Sequence, residues 1–271
     1  MRILRICVAV LFVIVLCVFA FVMIRYKNVD KTYPVITLDS DTISVKLGAT
    51  DEEMLDGVHA TDGKDGDISD RVIVESISRF KERGVSVIKY AVCDSDNHVT
   101  SATRDIIFEN YTSPRFTLSS SLIFGISKPI NIRSIIGARD AIDGNISNKV
   151  IITAEEYSST TAGGYTVSAK VSNSKGDMVS LDLPVYVEEI ALSAPVIELR
   201  QYLAYLKVGE KFDVQANIVS ALDQTEIDLA SSVTVDTNLN TSKAGMYEVH
   251  YRVTDSEDRT GHAFAIVIVE D

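Results

Sequence analysis

Three aspartates in one short run are the residues best placed to do chemistry. In Ala60-Thr61-Asp62-Gly63-Lys64-Asp65-Gly66-Asp67-Ile68-Ser69, the carboxylates of Asp62, Asp65 and Asp67 stand three and two residues apart. Ca2+ takes six to eight oxygens, and carboxylates at such spacings can converge on it. Asp94 and Asp96 lie on a second polar turn, Asp94-Ser95-Asp96-Asn97, which could close the same end of a domain. The simpler reading of the same residues is a pair of turns, because aspartate caps its own backbone and glycine takes positive φ. No bidentate glutamate stands at the spacing of an EF-hand loop. Asp140 and Asp143 form a weaker copy, with Asn145 in place of the third carboxylate.

Other chemistry finds less support. His59, His98, His250 and His262 are scattered, match no metal-ligand spacing, and read as surface residues. Cys93 is the one cysteine outside the apolar N-terminal segment, so no disulfide is expected within the polar part, and it reads as a semi-buried thiol. There is no Gly-x-Ser-x-Gly elbow and no glycine-rich phosphate loop, so catalysis is not expected, nor any cofactor beyond Ca2+ at the acidic loop. Tyr202 and Tyr205, three residues apart, could form an exposed aromatic platform for a sugar or pack within a strand. Residues 1–31 carry a net charge of +4, leaving −16 on the rest of a chain whose total is −12. Such a surface excludes nucleic acid as a partner, since its phosphates select basic grooves.

These residues need elements to hold them. Residues 6–24, ICVAVLFVIVLCVFAFVMI, contain no charge and no strongly polar group. About 20 such residues in a helix cross the hydrocarbon core of a bilayer. Arg2 and Arg5 precede the run, and Arg25, Tyr26 and Lys27 follow it as interfacial anchors would. An uncleaved single-pass anchor is expected at 6–24, with a cytoplasmic tail at 1–5 and a linker at 25–33. A cleaved signal peptide stays open, although its apolar region is usually about 7–15 residues, shorter than this run.

Beyond Lys31 the chain repeats itself. Pro34-Val35-Ile36-Thr37-Leu38, Pro114-Arg115-Phe116-Thr117-Leu118 and Pro195-Val196-Ile197-Glu198-Leu199 start 80 and 81 residues apart. Late in each unit a glycine precedes an alternating strand, clearest in Gly245-Met246-Tyr247-Glu248-Val249-His250-Tyr251-Arg252-Val253. There Tyr247, Val249, Tyr251 and Val253 should face a core, with Glu248, His250 and Arg252 in water. A polar turn follows in every unit: Asp94-Ser95-Asp96-Asn97, Asn173-Ser174-Lys175-Gly176 and Asp255-Ser256-Glu257-Asp258. Each unit closes on one more strand, such as Ala263-Phe264-Ala265-Ile266-Val267-Ile268-Val269. Short strands with turns every 8–12 residues predict one β-sandwich per unit, over 34–109, 110–189 and 190–271, on short links that favour a semi-rigid rod.

The opening Pro-Val-Ile-Thr-Leu, the acidic loop and the later Gly-x-Tyr strand with its Asp-Ser turn together resemble the bacterial surface Ig-like domain family. The likeness is fullest over 34–109. The second unit keeps Ala138-Arg139-Asp140-Ala141-Ile142-Asp143-Gly144-Asn145-Ile146-Ser147, while in the third the loop has changed to Ala221-Leu222-Asp223-Gln224-Thr225-Glu226-Ile227-Asp228. The resemblance implies a seven-stranded sandwich in each unit and a role in adhesion or spacing without catalysis; with the repeat and the apolar run, the expected fold is all-β, three tandem Ig-like sandwiches after one transmembrane helix. The expected protein is anchored with its N-terminus inside and its sandwiches outside the cell, and its partner is another surface or envelope protein or a glycan. The alternatives are a calcium-stabilised glycan-binding adhesin and an accessory subunit of a membrane-bound envelope or secretion complex.

Overall fold

The computed structural model describes residues 2–27, 31–156 and 158–271. Helix α1 (Arg2–Lys27) contains the apolar run, and residues 6–24 are exposed along its whole length. Among the described residues, no core covers residues 6–24 of that helix. It is long and apolar enough to cross a membrane, although a signal sequence near an N-terminus can meet the same measure of length and hydropathy.

The rest is β-structure, in which one topology occurs three times. The first set is β1 (Val35–Leu38), β2 (Thr42–Lys46), the single turn of helix α2 (Asp51–Met54), β3 (Val58–Asp62), β4 (Gly66–Asp67), β5 (Ile73–Ile77), β6 (Val85–Cys93) and β7 (Val99–Glu109). Its two sheets run β1-β3-β4 and β2-β7-β6-β5, with β2 parallel to β7 and the other pairs antiparallel. The second set is β8 (Arg115–Leu118), β9 (Ile123–Gly125), β10 (Ile136–Asp140), β11 (Gly144–Asn145), β12 (Ile151–Glu156), β13 (Gly163–Ser172) and β14 (Met178–Glu188), paired as β11-β10-β8 and β12-β13-β14-β9. The third is β15 (Val196–Leu199), β16 (Leu203–Lys207), β17 (Ile218–Leu222), β18 (Thr234–Thr237), β19 (Gly245–Thr254) and β20 (Thr260–Glu270), paired as β15-β17 and β16-β20-β19-β18. In every set the chain pairs first in the smaller sheet and then crosses to lie parallel to the last strand of the larger one. Pro34, Pro114 and Pro195 sit just before the opening edge strands, where a missing N–H breaks no ladder.

Alternation puts one face of each strand in a core. Ile88, Tyr90 and Val92 of β6, Val167, Ala169 and Val171 of β13, and Val249, Tyr251 and Val253 of β19 are all buried. In the first sandwich they pack with Val58, Ala60, Ile68 and Ile106. The buried Arg104 guanidinium donates to the Tyr90 hydroxyl (2.8 Å) and to the Met54 and Asp56 carbonyls (3.1 and 2.6 Å), which closes the end of α2 onto the core.

Up to Asn110 the chain forms one compact unit, and Tyr111–Asp271 forms another that holds both the second and third sandwiches. Those two are more than neighbours on a short link. In β20, Ala263, Ala265, Val267 and Val269 face the third core, while Phe264 and Ile266 are buried in the second. One strand thus serves two cores, which is why 263–269 is an unbroken apolar run rather than an alternating one. Tyr202 and Tyr205 form no exposed platform. The Tyr202 hydroxyl accepts from the Leu199 amide (3.2 Å), and that of Tyr205 accepts from the Phe116 amide (3.0 Å) with the Arg115 guanidinium over its ring. Burial pushes the Tyr205 hydroxyl up to about 12. Cys93 is exposed rather than semi-buried, because it sits on the outward face at the end of β6.

Candidate functional site

The acidic loop and the polar turn do meet at one end of the first sandwich, and three copies of the arrangement reveal what each residue does. Ala60, Ala138 and Ala221 are fully buried at matching positions, and the aspartate two residues later, Asp62, Asp140 or Asp223, caps its own loop. Asp62 Oδ1 accepts from the Lys64 and Asp65 amides (both 2.9 Å), and Asp140 Oδ1 from those of Ile142 and Asp143 (both 2.9 Å). Asp223 Oδ1 accepts from the Thr225 and Ile227 amides (2.8 and 2.9 Å). Five residues after each of these, Asp67, Asn145 and Asp228 accept from the amides of Ser69, Ser147 and Ala230 (3.0, 3.0 and 2.8 Å), opening the short 3-10 turns. Asn145 does this without a charge, so the role needs an oxygen acceptor rather than a carboxylate.

Asp65 and Asp143 join the two loops. Asp65 accepts from the amide and hydroxyl of Ser95 (2.7 and 2.8 Å) and from Arg71 Nη1 (2.9 Å). Asp143 accepts from the amide and hydroxyl of Ser174 (2.7 and 2.6 Å) and from Lys149 Nζ (2.7 Å). Asp96 is paired with Lys64 Nζ (2.6 Å). Side-chain cations thus occupy the places beside three of these carboxylates. The third sandwich has Glu226 at the position of Asp65, with its backbone at φ 63°. There the two loops keep their caps without this clasp.

The polar turns also match. Asp94 Oδ1 accepts from the Asp96 and His98 amides (2.9 and 2.8 Å), and Asp255 Oδ1 from those of Glu257 and Arg259 (2.9 and 3.0 Å). His98 Nδ1 and Arg259 Nε close on the second oxygens (both 2.7 Å). Asn97, Gly176 and Asp258 take the left-handed conformation that ends each turn. In the second copy Asn173 Nδ2 donates to Asp140 Oδ2 (3.1 Å). At the position of Asn173 the first copy has Asp94, which offers no N–H, and Asp62 Oδ2 is buried without a hydrogen-bond partner. Among the described residues, no three His, Cys, Asp or Glu side chains are placed to hold a metal ion.

Two expected results follow from these loops. Bonds from the Ser95 hydroxyl and amide hold the Asp65 carboxyl below its ordinary value, and those from Lys149 and Ser174 do the same for Asp143. A lowered folded value contributes stability above the unfolded value, about 3.9 for aspartate, and that contribution is lost as pH falls through the folded one. Asp65→Asn and Asp143→Asn should therefore flatten the fall of Tm below about pH 4, and an acid limb identical to wild type would count against the clasp. Asp94→Asn should place an N–H opposite Asp62 Oδ2, as Asn173 does for Asp140. Its Tm is expected to equal or exceed that of wild type, and a clear drop would show that Asp62 is satisfied some other way.

The family model described as bacterial surface protein, Ig-like domain, matches residues 202–269. Residues 202–269 are thus similar to the bacterial surface Ig-like domains. The match falls on the sandwich whose acidic loop differs most from the other two. A match to a surface Ig-like domain together with one apolar N-terminal helix fits a membrane or surface location. An uncharacterized 81.3 kDa protein of Acholeplasma phage L2 is 31% identical over 138 residues, which are 49% of this chain and 18% of the phage protein. The pesticidal crystal protein Cry22Aa of Bacillus thuringiensis is 25% identical over 228 residues, 81% of this chain and 31% of its own. The chain thus spans less than a third of the length of either relative. A solved structure of CBM51-2 in complex with GlcNAc and INT domains from Clostridium perfringens ZmpB is 27% identical, covers 28% of this chain and 16% of its own, and has a TM-score of 0.25.

One cluster in the same region escapes the sequence. His250 and His262, 12 residues apart and expected at the surface, come within 3.3 Å (Nδ1 to Nε2) on the outer face of the third sandwich. Antiparallel pairing of β19 with β20 sets Arg252 opposite His262 and His250 opposite Phe264, so the two imidazoles are diagonal neighbours. The second sandwich adds Glu188, whose Oε2 lies 2.8 Å from His262 Nδ1, and Tyr186, whose hydroxyl donates to Glu248 Oε2 (2.7 Å). His250 Nε2 is 2.9 Å from the same Glu248 oxygen. Hydrogen bonds from His262 and His250 hold Glu188 and Glu248 respectively below the ordinary glutamate value. The outer face of β19 was expected in water, yet Glu248 and His250 are half-buried because the second sandwich covers them. The available signal was the unbroken apolar run of β20, which requires a cover on both faces.

Proposed function

We propose that the chain is a single-pass membrane protein, N-terminus inside, whose three sandwiches stand outside the cell as a non-catalytic interaction or adhesion module. The observation that carries this reading is the match to bacterial surface Ig-like domains at 202–269 on a chain whose residues 6–24 form an exposed, wholly apolar helix. The basic residues on the two flanks of the run, Arg2 and Arg5 against Arg25 and Lys27, are too evenly matched to orient it, so the downstream sandwiches, a type at home outside cells, set the orientation. The partner is another surface or envelope protein or a glycan, met on sheet faces or at the open edges of β5, β12 and β18. Protease added to intact cells should remove the C-terminal sandwich, while alkaline washing should leave the full-length chain in the membrane fraction. Protection of the C-terminal sandwich would overturn the orientation, and release of a chain shortened by its first 20 or so residues would replace the anchor with a signal peptide.

A second reading, a calcium-stabilised glycan-binding adhesin, draws on the unpartnered Asp62 Oδ2 beside the position of Asp94. It expects Tm to rise with millimolar Ca2+ and Asp94→Asn to abolish that rise. An unchanged Tm would remove it.

A further inference from the structure

The joint between the second and third sandwiches contains four ring nitrogens whose partners fix the number of protons they can carry. His262 Nδ1 meets Glu188 Oε2 at 2.8 Å, and His250 Nε2 meets Glu248 Oε2 at 2.9 Å. A carboxylate only accepts, so both of these nitrogens must donate. A neutral imidazole has one N–H, and each ring has then spent its own. The remaining nitrogens, His250 Nδ1 and His262 Nε2, face each other at 3.3 Å. With both rings neutral, two lone pairs would meet across that gap, and with both rings protonated, two N–H groups would meet. The contact closes as a hydrogen bond in one state only, with three protons on four nitrogens.

We propose that His250 and His262 share a single extra proton, and that this proton is a latch that closes the joint between the second and third sandwiches. The charge is well placed. Glu188 approaches from β14, Glu248 and Arg252 from β19 itself, and Asp236 from β18 lines a cleft of about 280 Å³ with Tyr186 and His250. These three carboxylates and one guanidinium are the charged groups that face the pair. Phe264, stacked on His250 (rings 5.4 Å apart, 19° between planes) and edge-on to Tyr186 (5.2 Å, 90°), walls the site from the core. The cleft on the other side gives solvent a route to His250. Raising pH removes the shared proton and leaves two lone pairs opposed. Lowering pH below the carboxylate range protonates Glu188 and Glu248 and removes the acceptors that set the rings. The latch is therefore closed in a window between these limits. It is independent of which partner the protein binds.

The test is a proton count. The chain has four histidines, so 15N-histidine labelling of the full chain in detergent leaves few ring-nitrogen signals. His59→Gln and His98→Gln, both in the first sandwich, assign the other two rings by elimination without touching the joint. The expected result at neutral pH is three protonated nitrogens and one bare nitrogen across His250 and His262. One proton should leave the pair in a single step as pH rises, and hydrogen exchange should show the Phe264 amide losing protection in the same step. That amide donates to Ser121 Oγ across the joint (2.9 Å). Two bare nitrogens at neutral pH with Phe264 still protected would overturn the proposal, as would loss of the proton with no change at Phe264.

Discussion

Phe264→Ala is expected to destabilise two sandwiches at once, by about 3–5 kcal/mol, the range for a buried phenylalanine cut to alanine. The residue belongs by sequence to the third sandwich, yet its ring is 1% exposed within the core of the second, among Phe116, Leu122, Ile136, Val185 and Ile266. Removing the ring empties the space beneath the touching rings of Tyr186 and His250, and neither can follow it inward. Tyr186 is tied to Glu248, and His250 is bonded to both Glu248 and His262. The cavity therefore stays open, which places the effect toward the upper part of that range. The backbone of residue 264 would still be held by Ser121, whose hydroxyl donates to the Phe264 carbonyl (2.8 Å). Hydrogen exchange on the full chain should show protection falling in β13 and β14 as well as in β19 and β20. Loss confined to the third sandwich would mean that the shared core contributes little to the second.

Gly261→Ala should have an effect of similar size by the opposite mechanism. A Cβ at residue 261 would lie 2.0 Å from the Pro195 carbonyl oxygen and 2.8 Å from its carbon. Both atoms are backbone, so no rotamer change relieves the clash, and the start of β15 would have to leave β20. Overpacking of this kind costs about 1–3 kcal/mol, and the absence of any flexible neighbour puts this case near 3. Gly48→Ala is the matched control. Its Cβ would meet nothing within 4 Å, so only the left-handed backbone at φ +84° penalises it, by roughly 1 kcal/mol. Thermal unfolding of the two variants should rank Gly261→Ala well below Gly48→Ala. Equal Tm values would show that the β15 edge yields easily.

Much of the molecule could be read before any coordinates. An unbroken apolar run identifies α1, and alternation at period two locates β6, β13 and β19 with the correct face inward, because strand geometry sends successive side chains to opposite sides. The acidic loop is legible as a turn, and its three copies explain why. Asp62, Asp140 and Asp223 satisfy nearby amides, an interaction within a few residues that needs no tertiary partner. The clasp from Asp65 to Ser95 was only half visible. Both residues stand out in the sequence, but a 30-residue separation does not reveal that they touch.

The sequence by itself determined three repeated sandwiches behind one apolar helix, because the periods of helix and strand are local properties of the chain. It also determined which side of each strand faces its own core. Only the tertiary structure decided what covers the other side. Alternation defines two faces of β20 without naming the neighbour of the outer one, and that neighbour turns out to be the core of the preceding sandwich. For the same reason His250 and His262 look solitary along the chain, while antiparallel register and the approach of Glu188 and Tyr186 gather them into one hydrogen-bonded joint.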